Sequence, residues 1–293
     1  MQNSYQELAR LLTFHPGHRR IPALSCPEAL AGAANSLVHA RRVVLCSGFY
    51  IGRAAAWETD GPLGTLILAA TLEQVGIQPI IFTDRGAMGI FDAGMRTLGL
   101  QTPLVGFAPG QAAEHECLVQ YQPDALIAIE RSGQASDGNY YNANGQDVTK
   151  QVAHFDPLFT AAPNHGITTI AIGDGGNEIG FGVRIQEVRQ LLGASREIAC
   201  TTPADYLIAC GVSNWGGYAL AALVAWHNRI RLPIDQKLLL TTLEQIVAAG
   251  AIDGVSGQAI PTVDGLPLAV ELTMFNRLTN ALPSLVTQVV GEN

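Results

Sequence analysis

The sequence predicts an α/β fold: a doubly wound, mostly parallel sheet with helices on both faces. Three observations predict it. Short β-rich runs alternate with segments of helical periodicity along the chain. The runs are apolar at both odd and even positions, as strands covered on both faces require. Of the 293 residues, 48% are apolar and only 14% are charged, so the chain can bury a large core.

Six runs read as strands: Arg42 to Ser47, Gln78 to Thr83, Thr102 to Phe107, Asp124 to Ile129, Thr168 to Ile172 and Asp205 to Cys210. Helical stripes fill the gaps. Met88, Phe91, Met95 and Leu98 recur at spacings of three and four, as do Leu239, Leu243, Ile246 and Val247. Leu268, Leu272, Phe275, Leu278 and Leu282 form another such stripe. The segment from Gly64 to Val75 is apolar nearly all round, which predicts a deeply buried helix. Strand and helix in alternation imply right-handed crossovers, giving a Rossmann-like three-layer arrangement. Residues 1–40 read as a helical N-terminal addition, and 235–293 as two helices packing on the same core. The whole chain, 1–293, reads as one domain.

The net charge is −8, and Lys150 and Lys237 are the only lysines. Without a basic surface to neutralise phosphates, no nucleic-acid partner is expected. No apolar run approaches the roughly 18 residues that cross a bilayer, so no membrane span is expected. Five scattered cysteines have no C-x-x-C spacing and read as small buried hydrophobes. The N-terminus has no charged region followed by an apolar one, which places the chain in the cytoplasm. The seven histidines lie outside the polar loops described next, and there is no G-x-S-x-G elbow, Walker loop or G-x-G-x-x-G. Any chemistry rests on carboxylates, arginines and amides, with a hard metal ion as a further option.

Ligands of open parallel sheets bind outside the carboxyl ends of the strands. Five predicted strands end in small or charged residues. These are Ser47-Gly48-Phe49, Asp84-Arg85-Gly86, Glu130-Arg131-Ser132-Gly133, Gly173-Asp174-Gly175-Gly176-Asn177-Glu178 and Gly211-Val212-Ser213-Asn214-Trp215. The Gly173 to Gly182 loop is expected to open a helix and present free N–H groups to an anion, with Asp174 and Glu178 as carboxylates. A turn with acidic helix capping explains the same residues more simply, but not three further polar loops at the same edge. Glu58-Thr59-Asp60-Gly61-Pro62 carries one acid more than helix capping needs. Asp137 and Asn139 lie in a long loop, where binding a ligand and satisfying the loop backbone explain them equally. Ser213 or Asn214 fits a helix N-cap, a role that competes strongly with ligand binding.

Taken together, these segments resemble the D-glutamate cyclase C-terminal-domain-like family. The matching signatures are Ser47-Gly48-Phe49 with Glu58 to Pro62, Ile129-Glu130-Arg131 with Asp137-Gly138-Asn139-Tyr140, Ile172 to Gly180, and Ser213 to Gly217. They occur in order between about residues 40 and 230, with departures at Phe181 and at Asn142 to Gly145. The resemblance implies a lyase that closes D-glutamate to 5-oxo-D-proline, with an acidic amino acid as its small-molecule substrate. It also implies a separate hydro-lyase-like partner domain. On this reading Asp174 and Glu178 supply acid–base or metal-ligand groups (Mg²⁺ or Mn²⁺), supported by Glu58 and Asp60. Arg131 grips the α-carboxylate, and the Gly173, Gly175 and Gly176 amides stabilise an oxyanion. Gly48, Glu130, Asp137, Asn139, Asn177, Ser213 and Asn214 complete the binding site. Two other readings remain open. One is a module that binds an acidic amino acid or a nucleotide and needs a partner to act; the other is a nucleotide-dependent enzyme on the same sheet.

Overall fold

The computed structural model describes residues 2–15, 20–113 and 116–282. Helices α1 (Gln2–Leu12) and α2 (Pro27–Ser36) precede strand β1 (Arg42–Ser47). A short antiparallel pair, β2 (Tyr50–Ile51) and β3 (Ala56–Trp57), leads into α3 (Pro62–Gln74). Then follow β4 (Gln78–Asp84), α4 (Met88–Leu98), β5 (Leu104–Phe107), α5 (Glu116–Tyr121) and β6 (Ala125–Ile129). A long loop reaches α6 (Asp156–Ala161), β7 (Thr168–Gly173), α7 (Ile185–Leu192) and β8 (Tyr206–Ala209). The chain ends its described part with α8 (Ser213–His227), α9 (Gln236–Ala248) and α10 (Leu268–Asn280).

Six strands form one parallel sheet in the order β5-β4-β1-β6-β7-β8. The chain winds outward from β1 in one direction, then returns to β6 and winds outward in the other. The switch point therefore lies between β1 and β6, where doubly wound sheets open a crevice. Side chains alternate between two apolar cores. Val43, Leu45, Ile81, Ile127 and Ile129 face one core, with α3, α4, α8, α9 and α10. Val44, Cys46, Ile80, Phe82, Leu126 and Ala128 face the other, with Phe155, Leu158, Phe159 and Val188. This is the burial on both faces that the sequence predicts.

The predicted strands shift by at most two residues at their ends. The third begins at Leu104 because Pro103 has no N–H to donate; its carbonyl still accepts from Ile81 N at 2.9 Å. The β2–β3 pair is a difference from the sequence reading, since two-residue strands leave no periodic signal. A second difference is at the Gly173 loop. No helix opens there: a single 3-10 turn at Gly182–Arg184 intervenes, and α7 begins only at Ile185. Among the described residues no helix is long and apolar enough to cross a membrane.

Helices α3 and α8 are buried almost throughout and cross at very close range. A Cβ on Gly64 would lie 2.8 Å from Asn214 Cα, and one on Gly217 would lie 2.9 Å from Gly64 Cα. The contact brings both helix N-termini to the switch point.

Candidate active site

The two N-termini cap one another. Asp60, just ahead of α3, accepts from the amides that open α8: Ser213 N at 2.9 Å and Asn214 N at 2.7 Å. Asn214 Oδ1 in turn accepts from Gly61 N at 3.0 Å and Gly64 N at 2.7 Å. Each side chain thus satisfies orphan donors of the other helix. Gly61 has φ +90°, and a Cβ there would lie 2.7 Å from Glu130 Cβ, so the turn admits only glycine.

Glu130 follows β6 with φ +44°, a left-handed backbone that is uncommon for a residue with a side chain. Such a conformation costs of order 1–3 kcal/mol unless its surroundings impose it. Its amide donates to Ile172 O at 3.0 Å, and Ser213 Oγ donates to its carboxylate at 2.5 Å. The strained backbone aims Glu130 into a cavity of about 190 Å³. Glu58, Asp174, Gly175, Asn177 and Glu178 also line that cavity. One carboxylate oxygen each from Asp60, Glu130 and Asp174 lies within 4.8 Å of the others, and all three residues are buried.

This concentration of acid shifts protonation. Burial, then the charges of Glu178, Asp174, Asp60 and Glu58, hold the Glu130 carboxyl well above the usual carboxylate range. Burial and the charge of Asp264 raise Asp60, against the amides of Asn214 and Ser213, which favour its anion. Both carboxyls therefore hold their protons to higher pH than an exposed carboxylate does.

Other sequence-predicted residues do different work. Glu178 folds back on its own loop and accepts from Asp174 N at 3.3 Å, Gly175 N at 2.8 Å and Gly176 N at 2.7 Å. The anion held by the glycine-rich amides is thus the loop's own carboxylate, and those amides are not free for an oxyanion. Of the three loop glycines, only Gly175 lines the cavity. Gly173 is a packing position, where a Cβ would lie 2.6 Å from Phe181.

Arg131 corrects a second expectation. It points away from the cavity and is fully buried. It pairs with Asp84, donates to Gly48 O at 3.0 Å and Ala153 O at 2.5 Å, and lies 4.4 Å over the Phe155 ring. Asp84 also accepts from Ala153 N at 2.6 Å. The Arg131 Nε makes no hydrogen bond among the described residues, but it is buried and Arg131 does not line the cavity, so no edge of the guanidinium meets a substrate there. Gly48, at φ +117°, shapes the end of β1 and does not line the cavity.

Asp137 and Asn139 also lie off the cavity. Asp137 is exposed and accepts from Asn139 N, Asn139 Nδ2 and Tyr141 Oη, which orders the long loop. Tyr140 is buried there, donating to Asp156 at 2.6 Å. Trp215 is explained by packing: it donates to Glu271 at 2.7 Å and stacks on Phe14.

The sequence reading missed part of the rim. Arg53 in the β2–β3 turn, Asn142 and Asn144 in the long loop, and Gly254, Val255 and Asp264 all line the cavity. The last three belong to the segment between α9 and α10, which the sequence presented only as packing. Thr59 N donates to Ile252 O at 2.8 Å and Ile252 N to Trp57 O at 3.1 Å, which draws that segment against Glu58. The available signal was Asp253-Gly254, one of five Asp-Gly pairs in the chain. Asp60-Gly61, Asp174-Gly175 and Asp264-Gly265 likewise border the cavity or its floor.

The chain is 33% identical, over 304 residues, to the human mitochondrial D-glutamate cyclase, covering 89% of this chain and 49% of that protein. The chain thus spans about half the length of that relative. Among solved structures, an exopolyphosphatase-related protein from Bacteroides fragilis is similar over 88% of this chain and 62% of its own, at TM-score 0.40 and 9% identity. The model of the family described as D-glutamate cyclase-like, C-terminal, matches residues 8–279, and the chain belongs to that family.

Proposed function

We propose that this domain is a D-glutamate cyclase-like lyase, closing D-glutamate to 5-oxo-D-proline with loss of water. The observation that carries the reading is the buried cluster of Asp60, Glu130 and Asp174 at the switch point, two of which, Glu130 and Asp174, line one small cavity. Ring closure needs a base for the ammonium and an acid for the departing oxygen. A carboxyl held above its usual range can serve as the acid, and a second carboxylate beside it as the base.

In this mechanism Asp174 takes a proton from the substrate ammonium. The freed amine attacks the side-chain carboxyl carbon, and holding the chain curled makes the step unimolecular. The C–N bond forms, and a C–O bond then breaks. Glu130 gives its proton to the leaving oxygen. Glu130 then takes the second proton from nitrogen and Asp174 passes the first to the same oxygen, so water departs and both carboxyls return to their starting states. Glu178 holds the loop that carries Asp174, while Asp60 and Ser213 hold Glu130 in place.

Asp60, Glu130 and Asp174 also form a hard-oxygen donor set that would hold Mg²⁺ or Mn²⁺. Glu178 lies outside that set. A bound cation would polarise the substrate carboxyl.

A nucleotide-dependent reading is disfavoured, because the loop amides that could cradle phosphate already hold Glu178. A second reading has a specific observation behind it. The chain matches only 49% of its human relative, which favours a binding module completed by a further domain. Turnover separates the two. Purified protein is given D- and L-glutamate, with and without Mg²⁺ or Mn²⁺, and product is followed by chiral chromatography. Enantioselective 5-oxoproline formation supports the cyclase. Saturable D-glutamate binding without product supports the module.

A further inference from the structure

The described residues lining the cavity include five acids, Glu58, Glu130, Asp174, Glu178 and Asp264, and a single cation, Arg53. A dicarboxylic amino acid carries two negative charges against one positive. Entry into so acidic a cavity is unfavourable unless a positive group meets one carboxylate. With Arg131 locked onto Asp84, Arg53 is the residue placed to do so.

Its position suits that task. Arg53 stands in the four-residue turn between β2 and β3, exposed at the mouth and opposite the buried floor. Its Nη2 donates to Gly254 O at 3.1 Å and to Val255 O, which fixes the guanidinium against the segment between α9 and α10. The Nη1 and Nε donors make no hydrogen bond among the described residues, and a guanidinium has five N–H donors in all. The loop that anchors it is itself rigid. Buried Asp253 accepts from Val255 N at 3.0 Å, Ser256 N at 2.7 Å, Thr262 Oγ1 at 2.7 Å and Gly265 N at 2.8 Å.

We propose that Arg53 is the carboxylate-binding, specificity-determining residue of this cavity, selecting α-amino acids over amines that lack an α-carboxylate. The inference rests on the cyclase reading. It places the α-carboxylate at the mouth on Arg53, and the amine and side-chain carboxyl among Glu130 and Asp174. The cavity is thereby polarised, with its cation outside and its acids inside, and this orients the substrate for ring closure.

The test compares wild type, Arg53→Met and Arg53→Lys. Each is assayed for D-glutamate cyclisation and for D-glutamate and 4-aminobutyrate binding by calorimetry. 4-Aminobutyrate keeps the amine and the reacting carboxyl but lacks the α-carboxylate. Arg53→Met is expected to raise KM for D-glutamate by roughly tenfold or more, the loss of a charge-assisted hydrogen bond, with kcat little changed. Arg53→Lys should recover part of that loss. Affinity for 4-aminobutyrate should be weak and equal in all three proteins. An unchanged KM in Arg53→Met, or an equal loss of affinity for both ligands, would overturn the assignment while leaving the cyclase reading intact. A wild-type protein that neither binds nor cyclises D-glutamate would overturn both.

Discussion

Glu130 and Arg131 are neighbours in sequence and opposites in environment. Arg131 turns into one face of the strand ends, where Asp84, two carbonyls and an aromatic ring meet it. Glu130 turns to the other face on a left-handed backbone and meets other acids. Both are buried and charged residue types. One network satisfies its charge, and the other is left to protons, a cation or a substrate. The contrast separates a polar group that holds the fold from one that the fold holds under strain. Buried charge alone does not distinguish them; what each charge faces does.

Substitution at both positions tests the contrast most severely. Arg131→Met strands Asp84 as a buried anion and is expected to destabilise the protein by about 3–5 kcal/mol in denaturant unfolding. Glu130→Gln should behave the other way. It should cut turnover by about 10²–10⁴-fold, as loss of an acid–base group does, while stability is kept or raised. The Glu130 carboxyl is raised in the folded state. Its stabilising contribution is therefore present below the ordinary carboxylate pKa and is lost as pH rises through the raised value. The stability advantage of Glu130→Gln should grow with pH. Equal destabilisation by both substitutions would erase the distinction.

Glu271 sharpens the comparison at a site without chemistry. It accepts from Trp215 and Tyr218 at 2.7 Å each, tying α10 to α8, and burial pushes its carboxyl up to about 7. Stability from this group is complete below its ordinary value near 4.5 and is lost as pH rises towards 7. Glu271→Gln preserves both hydrogen bonds, since tyrosine can accept from the new amide. It should recover up to about 3 kcal/mol at pH 8 and flatten the pH dependence between 5 and 7, with turnover unchanged. A pH profile identical to wild type would contradict this.

The smallest stability effect is expected at Gly254. A Cβ there would lie 1.6 Å from Glu58 Oε2, the movable end of a side chain. Gly254→Ala should cost under about 1 kcal/mol, as Glu58 swings aside, yet reduce turnover by roughly ten- to a hundredfold through misplacement in the cavity. Unaltered kinetics would remove Glu58 and its loop from the site.

The strands and the polar edge were legible because burial on two faces and glycine-rich strand ends are local signals. Glu58, Glu130, Asp174 and Glu178 were legible in the same way, and they meet in one cavity. Arg131 was misleading because a strand-end arginine looks the same whether it faces solvent, ligand or Asp84, which lies 47 positions away. Glu178 was misread because its fold-back onto Gly175 and Gly176 depends on side-chain direction. Arg53, Gly254 and Asp264 escaped because a two-residue strand pair and a bridge from Glu58 to Ile252 assemble them across about two hundred positions. Asn142, where the sequence departs from the family pattern, sits on the cavity rim.

The central claim is that the acid cavity beside Glu130 performs the chemistry. The most direct measurement is the rate of 5-oxoproline formation from D-glutamate by wild type and Asp174→Asn, with melting temperature recorded for both. The expected result is enantioselective turnover in wild type that falls by about 10²–10⁴-fold in a variant that melts like wild type. Turnover retained in folded Asp174→Asn would contradict the account.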